Sequence, residues 1–250
     1  MLPIIFTTPR TGSTLVGKII SNYFIQHFDH GPYLDEFFTI HKLWSEIHIK
    51  NKWIERKNFS RYDIDGCIKY NDDYVTLEIN KRLKLLLENE NHFKQLIKLF
   101  SFNLNNELLK FIEEKYNFFI LLERKNKINQ FLSFNVLLTN NKAHYTDNNL
   151  KINYIEYKKD YLTQFLHMIK LYNAYKESFI QKNYKIIYYE DLFSDNNTEL
   201  NTLNMLGLKI NKNFKPLNYR TIPTPYTQNI ENLIINKSEW YNDKEKLLVL

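Results

Sequence analysis

Apolar and polar residues along this chain follow two alternating periods, which predict strands followed by helices. The apolar run Leu2–Thr7 predicts a buried strand, and apolar residues at helical spacing predict a helix over Ser13–Phe28. The same succession returns later, with strands expected at Leu96–Phe100, Phe118–Leu122 and Lys185–Tyr189 and helices at Asn105–Lys115, Asn126–Leu138 and Lys159–Lys182. Strands that alternate with helices predict a parallel, doubly wound sheet.

The turn after the first strand carries the clearest chemical signal. In a parallel α/β sheet, ligands bind outside the carboxyl ends of the strands. The segment Pro9–Thr14 combines a glycine with three hydroxyl side chains and one arginine, and a helix starts directly after it. Small residues let the backbone wrap a tetrahedral anion, and the helix N-terminus and the guanidinium add N–H donors. The turn therefore predicts a phosphate or sulfate site.

Two kinds of phosphate loop fit part of this turn. Residues 12–18 match the first seven positions of a Walker A loop, from Gly12 to Lys18. The eighth position should be Ser or Thr, which would bind magnesium, but it is Ile19. Residues 15–20 also follow helical spacing, so Lys18 is expected inside a helix. We therefore reject the Walker A interpretation.

The segment Pro9–Leu15 resembles the loop by which sulfotransferases hold the 5′-phosphosulfate of PAPS (3′-phosphoadenosine 5′-phosphosulfate). The arginine version is similar to the carbohydrate-directed and bacterial branches of that family. The resemblance implies a P-loop-NTPase-like three-layer α/β fold with a central parallel sheet flanked by helices. It also implies that the nucleotide is bound by the loop residues Arg10, Thr11, Gly12, Ser13 and Thr14, and that Arg10 stabilises the transferring group.

Two later segments match further sulfotransferase motifs in family order. Arg124 follows the strand Phe118–Leu122, and Ser133 lies nine residues later; in the family this pair grips the 3′-phosphate. The family's eight-residue spacing would select Lys125 instead of Arg124. The third motif ends a strand in Tyr189-Glu-Asp-Leu, and in the family this tyrosine lies by the adenine. If one nucleotide joins these motifs, Arg10 and Ser133 must lie on the same side of the molecule.

The catalytic base is expected to differ from that of the cytosolic branch, where a histidine ends the preceding strand. Phe100 occupies that place here. In the bacterial trehalose-type enzymes the proposed base is a glutamate in a Glu-Phe-Phe segment, and this chain has that sequence at Glu36. We predict Glu36 as general base, with Asp35 as the alternative if the register shifts by one.

Composition limits the partners and cofactors that this protein is expected to have. The chain has 250 residues, 34 Lys+Arg and 28 Asp+Glu, for a net charge of +6. This bias suits an anionic ligand, but the interspersed charges do not predict a nucleic-acid partner. The single cysteine excludes an internal disulfide. The sequence contains no run of about 18 apolar residues, so no transmembrane helix is expected. The histidine spacings fit no metal site, so no metal is expected, and we expect a cytoplasmic protein.

The sequence therefore predicts one sulfotransferase domain over residues 1–250, with a helical acceptor-side segment at about 35–90. The predicted enzyme transfers a sulfuryl group from PAPS to a hydroxyl of a small-molecule or glycan acceptor, and a sugar or glycoconjugate is favoured. Two alternatives stay open: a P-loop kinase that uses Mg·ATP, and a non-catalytic anion- or glycan-binding module on the same fold. No motif identifies the acceptor or the oligomeric state.

Overall fold

The computed structural model describes residues 3–28, 97–101, 104, 106–140, 154–192, 197–217 and 230–250. The predicted base Glu36, its alternative Asp35 and the whole acceptor-side segment at about 35–90 lie outside the described residues.

Four parallel strands form the central sheet. They are β1 (Ile4–Thr7), β2 (Ile97–Phe100), β3 (Phe118–Glu123) and β4 (Asn183–Tyr188). The strands β1 and β2 are buried at every position, and their residues are apolar except for Thr7 and Lys98, as expected for a parallel sheet covered on both faces. The order in the sheet is β2-β1-β3-β4, and all neighbouring strands are parallel.

Helices cover both faces of this sheet. They are α1 (Ser13–Phe28), α2 (Asn106–Lys115), α3 (Lys127–Asn140), α4 (Lys159–Ile180), α5 (Tyr189–Leu192), α6 (Thr198–Met205), α7 (Lys237–Asp243) and α8 (Glu245–Leu248), with a 3₁₀ turn at Ile230–Leu233. The predicted strands and helices therefore form, within one to three residues at most ends. The prediction of a three-layer α/β fold is confirmed.

Alternate side chains of the strands divide the core into two layers. On one face, Ile5 of β1 packs with Val16 and Ile20 of α1. On the other face, the ring of Phe6 lies 4.9 Å from that of Tyr172 and 4.8 Å from that of Phe179, both on α4. These contacts bury the sheet on both sides, as a parallel sheet requires.

The strand order locates the crevice of the sheet. Among the described strands, β1 is followed in sequence by β2 on one side of it, whereas β3 is followed by β4 on the other side. Connections that leave in opposite directions open a crevice between the carboxyl ends of the two central strands, here β1 and β3. The turns 8–12 and 124–126 border this crevice, although they are more than a hundred residues apart in the chain.

A third apolar cluster joins α3 and α4 to the C-terminal helices. Trp240 of α7 is fully buried there, with its ring 5.8 Å from that of Phe131 of α3. The hydroxyl of Tyr157 donates a hydrogen bond of 2.7 Å to Asp243. No helix in the described ranges is long and apolar enough to cross a membrane.

Candidate functional site

The loop between β1 and α1 has a strained backbone. Gly12 has φ of 74°, and Arg10 has φ of 67°. Glycine adopts such left-handed conformations readily, whereas a residue with a Cβ does so at a cost of roughly 1–2 kcal/mol. Strain of this kind persists only where the surroundings hold it, and it concentrates at functional sites.

Side chains from the next strand and helix hold this loop. Gln130 of α3 donates from Nε2 to Thr8 Oγ1 at 2.8 Å and to the carbonyl of Pro9 at 2.7 Å. Arg124, just after β3, donates from Nη1 to the carbonyl of Arg10 at 3.2 Å. The left-handed turn at Arg10 is therefore fastened on both sides by groups of the neighbouring strand unit.

Some polar groups of the loop form hydrogen bonds within it, whereas others are available to bind a ligand. The hydroxyl of Thr11 is fully buried, lies 2.6 Å from Thr7 Oγ1 and donates to the carbonyl of Thr8. Thr11 thus braces the loop with its side chain. The backbone N–H groups of Gly12, Ser13 and Thr14 have no acceptor within the described ranges, so the start of α1 presents a set of donors suited to an anion.

Arg10 and Ser133 are in direct contact. Arg10 Nε donates to Ser133 Oγ at 2.8 Å across 123 positions of sequence. Ser133 is only 2% exposed. The two residues lie on the same side of the molecule, as a shared nucleotide requires. Both belong to the crevice between β1 and β3.

Arg124, not Lys125, faces the loop. The Arg124 guanidinium lies 4.4 Å from the ring centre of Tyr189, and its Nε lies 3.7 Å from Glu190 Oε1. That Nε atom is buried without a hydrogen-bond partner among the described residues. Burial lowers the pKa of the Arg124 guanidinium, and Tyr189 and Glu190 oppose this shift. Lys125 is exposed and pairs with Asp191.

Lys98 lies at the candidate site, and the sequence analysis did not predict it there. Its Nζ donates to Thr14 Oγ1 at 3.1 Å and lies 4.9 Å from the ring centre of Phe100. It is 1% exposed, in the middle of β2. A lysine inside an apolar strand was the signal that could have revealed it, because a buried ammonium is costly unless it serves a partner.

A cavity of about 370 Å³ lies beside α1, and the first residue of α1 that lines it is Leu15. It lies between α1, the start of α6 and the segment that follows α6. Its lining is mostly apolar and includes Leu15, Ile19, Phe214 and Leu217, with one carboxylate, Glu199. Burial raises the pKa of Glu199, although its hydrogen bonds with Asn22 and the Leu217 N–H oppose the shift.

The Walker A residues are not arranged as a phosphate loop. α1 begins at Ser13, so Gly17 and Lys18 lie inside the helix, as the helical spacing predicts. Within the described residues, no three His, Cys, Asp or Glu side chains are grouped so as to hold a metal ion.

A scan against models of known protein families finds no match for this chain, and a search of curated proteins finds none either.

Proposed function

We propose that this protein is a sulfotransferase that moves a sulfuryl group from PAPS to a hydroxyl of a sugar or glycoconjugate. The observation that carries the proposal is the contact between Arg10 and Ser133 at 2.8 Å. It brings together two sulfotransferase-like motifs that are far apart in sequence. The two motifs lie after different strands and meet in one crevice, which supports a single ligand that contacts both.

The charges around the crevice suit a ligand with two anionic ends. Arg10 and Lys98 lie at the β1–α1 loop with the backbone N–H groups of Gly12–Thr14. Arg124 lies at the neighbouring turn, and its buried Nε, 3.7 Å from Glu190 Oε1, has no hydrogen-bond partner among the described residues. A phosphate oxygen would satisfy that donor, since buried polar groups normally have a partner. The ring of Tyr189, which the resemblance associates with the adenine, lies at the same turn against the Arg124 guanidinium.

Each group then has a defined task in the transfer. The acceptor oxygen attacks sulfur, the new O–S bond forms, and the bond from sulfur to the bridging phosphate oxygen breaks. Negative charge grows on that bridging oxygen, and Arg10 and Lys98 stabilise it there. The acceptor's proton passes to a general base, for which Glu36 stays our prediction.

Nucleotide binding tests this proposal without an acceptor. We expect adenosine 3′,5′-bisphosphate to bind without magnesium in calorimetry, and PAPS to compete with it. Arg124→Ala should weaken this binding by about tenfold to a hundredfold, because hydrogen bonds to charged groups contribute about 1.5–3 kcal/mol. Lys125→Ala is the matched control: the neighbouring cation is exposed and pairs with Asp191, so its removal should change the affinity by less than about twofold.

The alternatives give different results in the same experiments. Preference for Mg·ATP over the bisphosphate would refute the proposal and support a kinase. Bisphosphate binding without sulfate transfer to any of a broad panel of sugars and glycans would support a non-catalytic module instead. That alternative has its motivation in Phe100, which occupies the position of the histidine base of the cytosolic branch.

A further inference from the structure

Glu190 bridges the turn that carries Arg124. One carboxylate oxygen, Oε2, accepts the backbone N–H of Lys125 at 2.8 Å, and the other, Oε1, accepts that of Asn126 at 2.9 Å. Asn126 then caps α3, because its side-chain oxygen accepts the N–H of Asn129 at 2.8 Å. A single carboxylate therefore accepts two consecutive backbone N–H groups of the turn between β3 and α3.

The pairing of the two strands explains how Glu190 reaches this turn. β3 and β4 are parallel, with Glu123 opposite Tyr188. The residues that follow each strand therefore leave the sheet side by side. Tyr189 and Glu190 begin the short helix α5 at this point, with the Tyr189 ring against the Arg124 guanidinium.

The same contacts restrict Arg124. Glu190 holds the two residues that follow Arg124. The ring of Tyr189 covers the Arg124 guanidinium, and Nη1 of Arg124 donates to the carbonyl of Arg10. A guanidinium held in this way loses little side-chain freedom when an anion binds, so less of the binding free energy is spent on ordering it. Its buried Nε is then presented at a constant place.

We infer that Glu190 is a positioning residue: by clamping the 124–126 turn it preorganises Arg124 for the 3′-phosphate and gives the site its preference for a 3′-phosphorylated nucleotide. The inference rests on the proposed function. An acidic residue that merely stabilises the turn before α3 would stabilise the fold but would not affect which nucleotide is bound.

The test compares two nucleotides that differ only in the 3′-phosphate. Adenosine 3′,5′-bisphosphate and 5′-AMP are titrated into the full-length protein, into Glu190→Ala and into Glu190→Gln. We expect Glu190→Ala to lower bisphosphate affinity about tenfold, the order expected when a long side chain must be ordered on binding, and to leave 5′-AMP affinity within about twofold. Glu190→Gln retains one acceptor oxygen and should give an intermediate loss, even if the alanine variant folds poorly.

Asp191→Ala is the matched control. It removes the neighbouring carboxylate, which pairs with exposed Lys125, and should leave the ratio of the two affinities unchanged. Equal loss of both nucleotides in the Glu190 variants, or no loss, would overturn the inference while the proposed function stands. If the unaltered protein binds neither nucleotide, the proposed function fails and the inference fails with it.

Discussion

The strained backbone at Arg10 allows the loop to be tested apart from its chemistry. In the described part of the chain, Arg10 is the one residue other than glycine with a positive φ. The variants Arg10→Gly and Arg10→Ala both remove the guanidinium and its bond to Ser133. They differ by a single Cβ atom, so their difference in stability measures the backbone alone.

The expected difference follows from two opposing terms. A residue with a Cβ costs roughly 1–2 kcal/mol at this φ, which favours glycine. Glycine also leaves the unfolded chain more freedom, which favours alanine by about 0.4–1 kcal/mol. The balance makes Arg10→Gly more stable than Arg10→Ala by about 0.8 kcal/mol, or about 2–3 °C in Tm for a chain of this size.

Urea unfolding followed by circular dichroism measures this difference, and thermal unfolding checks it. The control is the same pair of variants at Lys125, whose φ is not positive. There the order should reverse, with alanine more stable by about 0.4–1 kcal/mol. If Arg10→Ala equals or exceeds Arg10→Gly in stability, the loop is not strained at this residue and the reasoning is refuted. Under the proposed function, both Arg10 variants should also lose sulfate transfer.

Three further predictions concern the loop's neighbours and the C-terminal cluster. Lys98→Met should lower bisphosphate affinity about tenfold in calorimetry without lowering Tm, because an apolar side chain of similar size replaces a buried charge; unchanged affinity would remove Lys98 from the site. Gln130→Met should lower the unfolding free energy by about 1–3 kcal/mol in urea, since it leaves the Pro9 carbonyl without its donor; a neutral result would contradict this account of the loop. The hydrogen bond from Lys246 lowers the pKa of Asp243, against the effect of burial. The stability that this shift contributes is present above the unfolded value of about 3.9 and is lost as pH falls through the folded pKa. Asp243→Asn should therefore lower Tm at pH 6 and converge with the unaltered protein near pH 2; a constant difference across that range would show that the ionised carboxylate is not responsible.

Local pattern was enough to predict the elements of this fold. The helix α1 has the bounds that its apolar spacing predicts, Ser13–Phe28. The central strands β1 and β3 were recognisable as apolar runs because a parallel sheet buries both faces of such strands. The β1–α1 loop motif was recognisable because its features are local. Gly12 provides a positive φ, and hydroxyl side chains stand at the start of α1, all within a few residues.

Long-range pairing decided the rest. The order β2-β1-β3-β4 places β1 beside β3, and only that neighbourhood brings Ser133 onto Arg10. Arg124, and not Lys125, contacts the β1–α1 loop, and its neighbours Tyr189 and Glu190 come from the adjacent strand unit. The sequence shows Lys98 only as a polar residue within an apolar run. Its contact with Thr14 depends on the pairing of β2 with β1. Hydrophobic periodicity encodes which face of a segment is buried, but it carries no information about which other segment buries it.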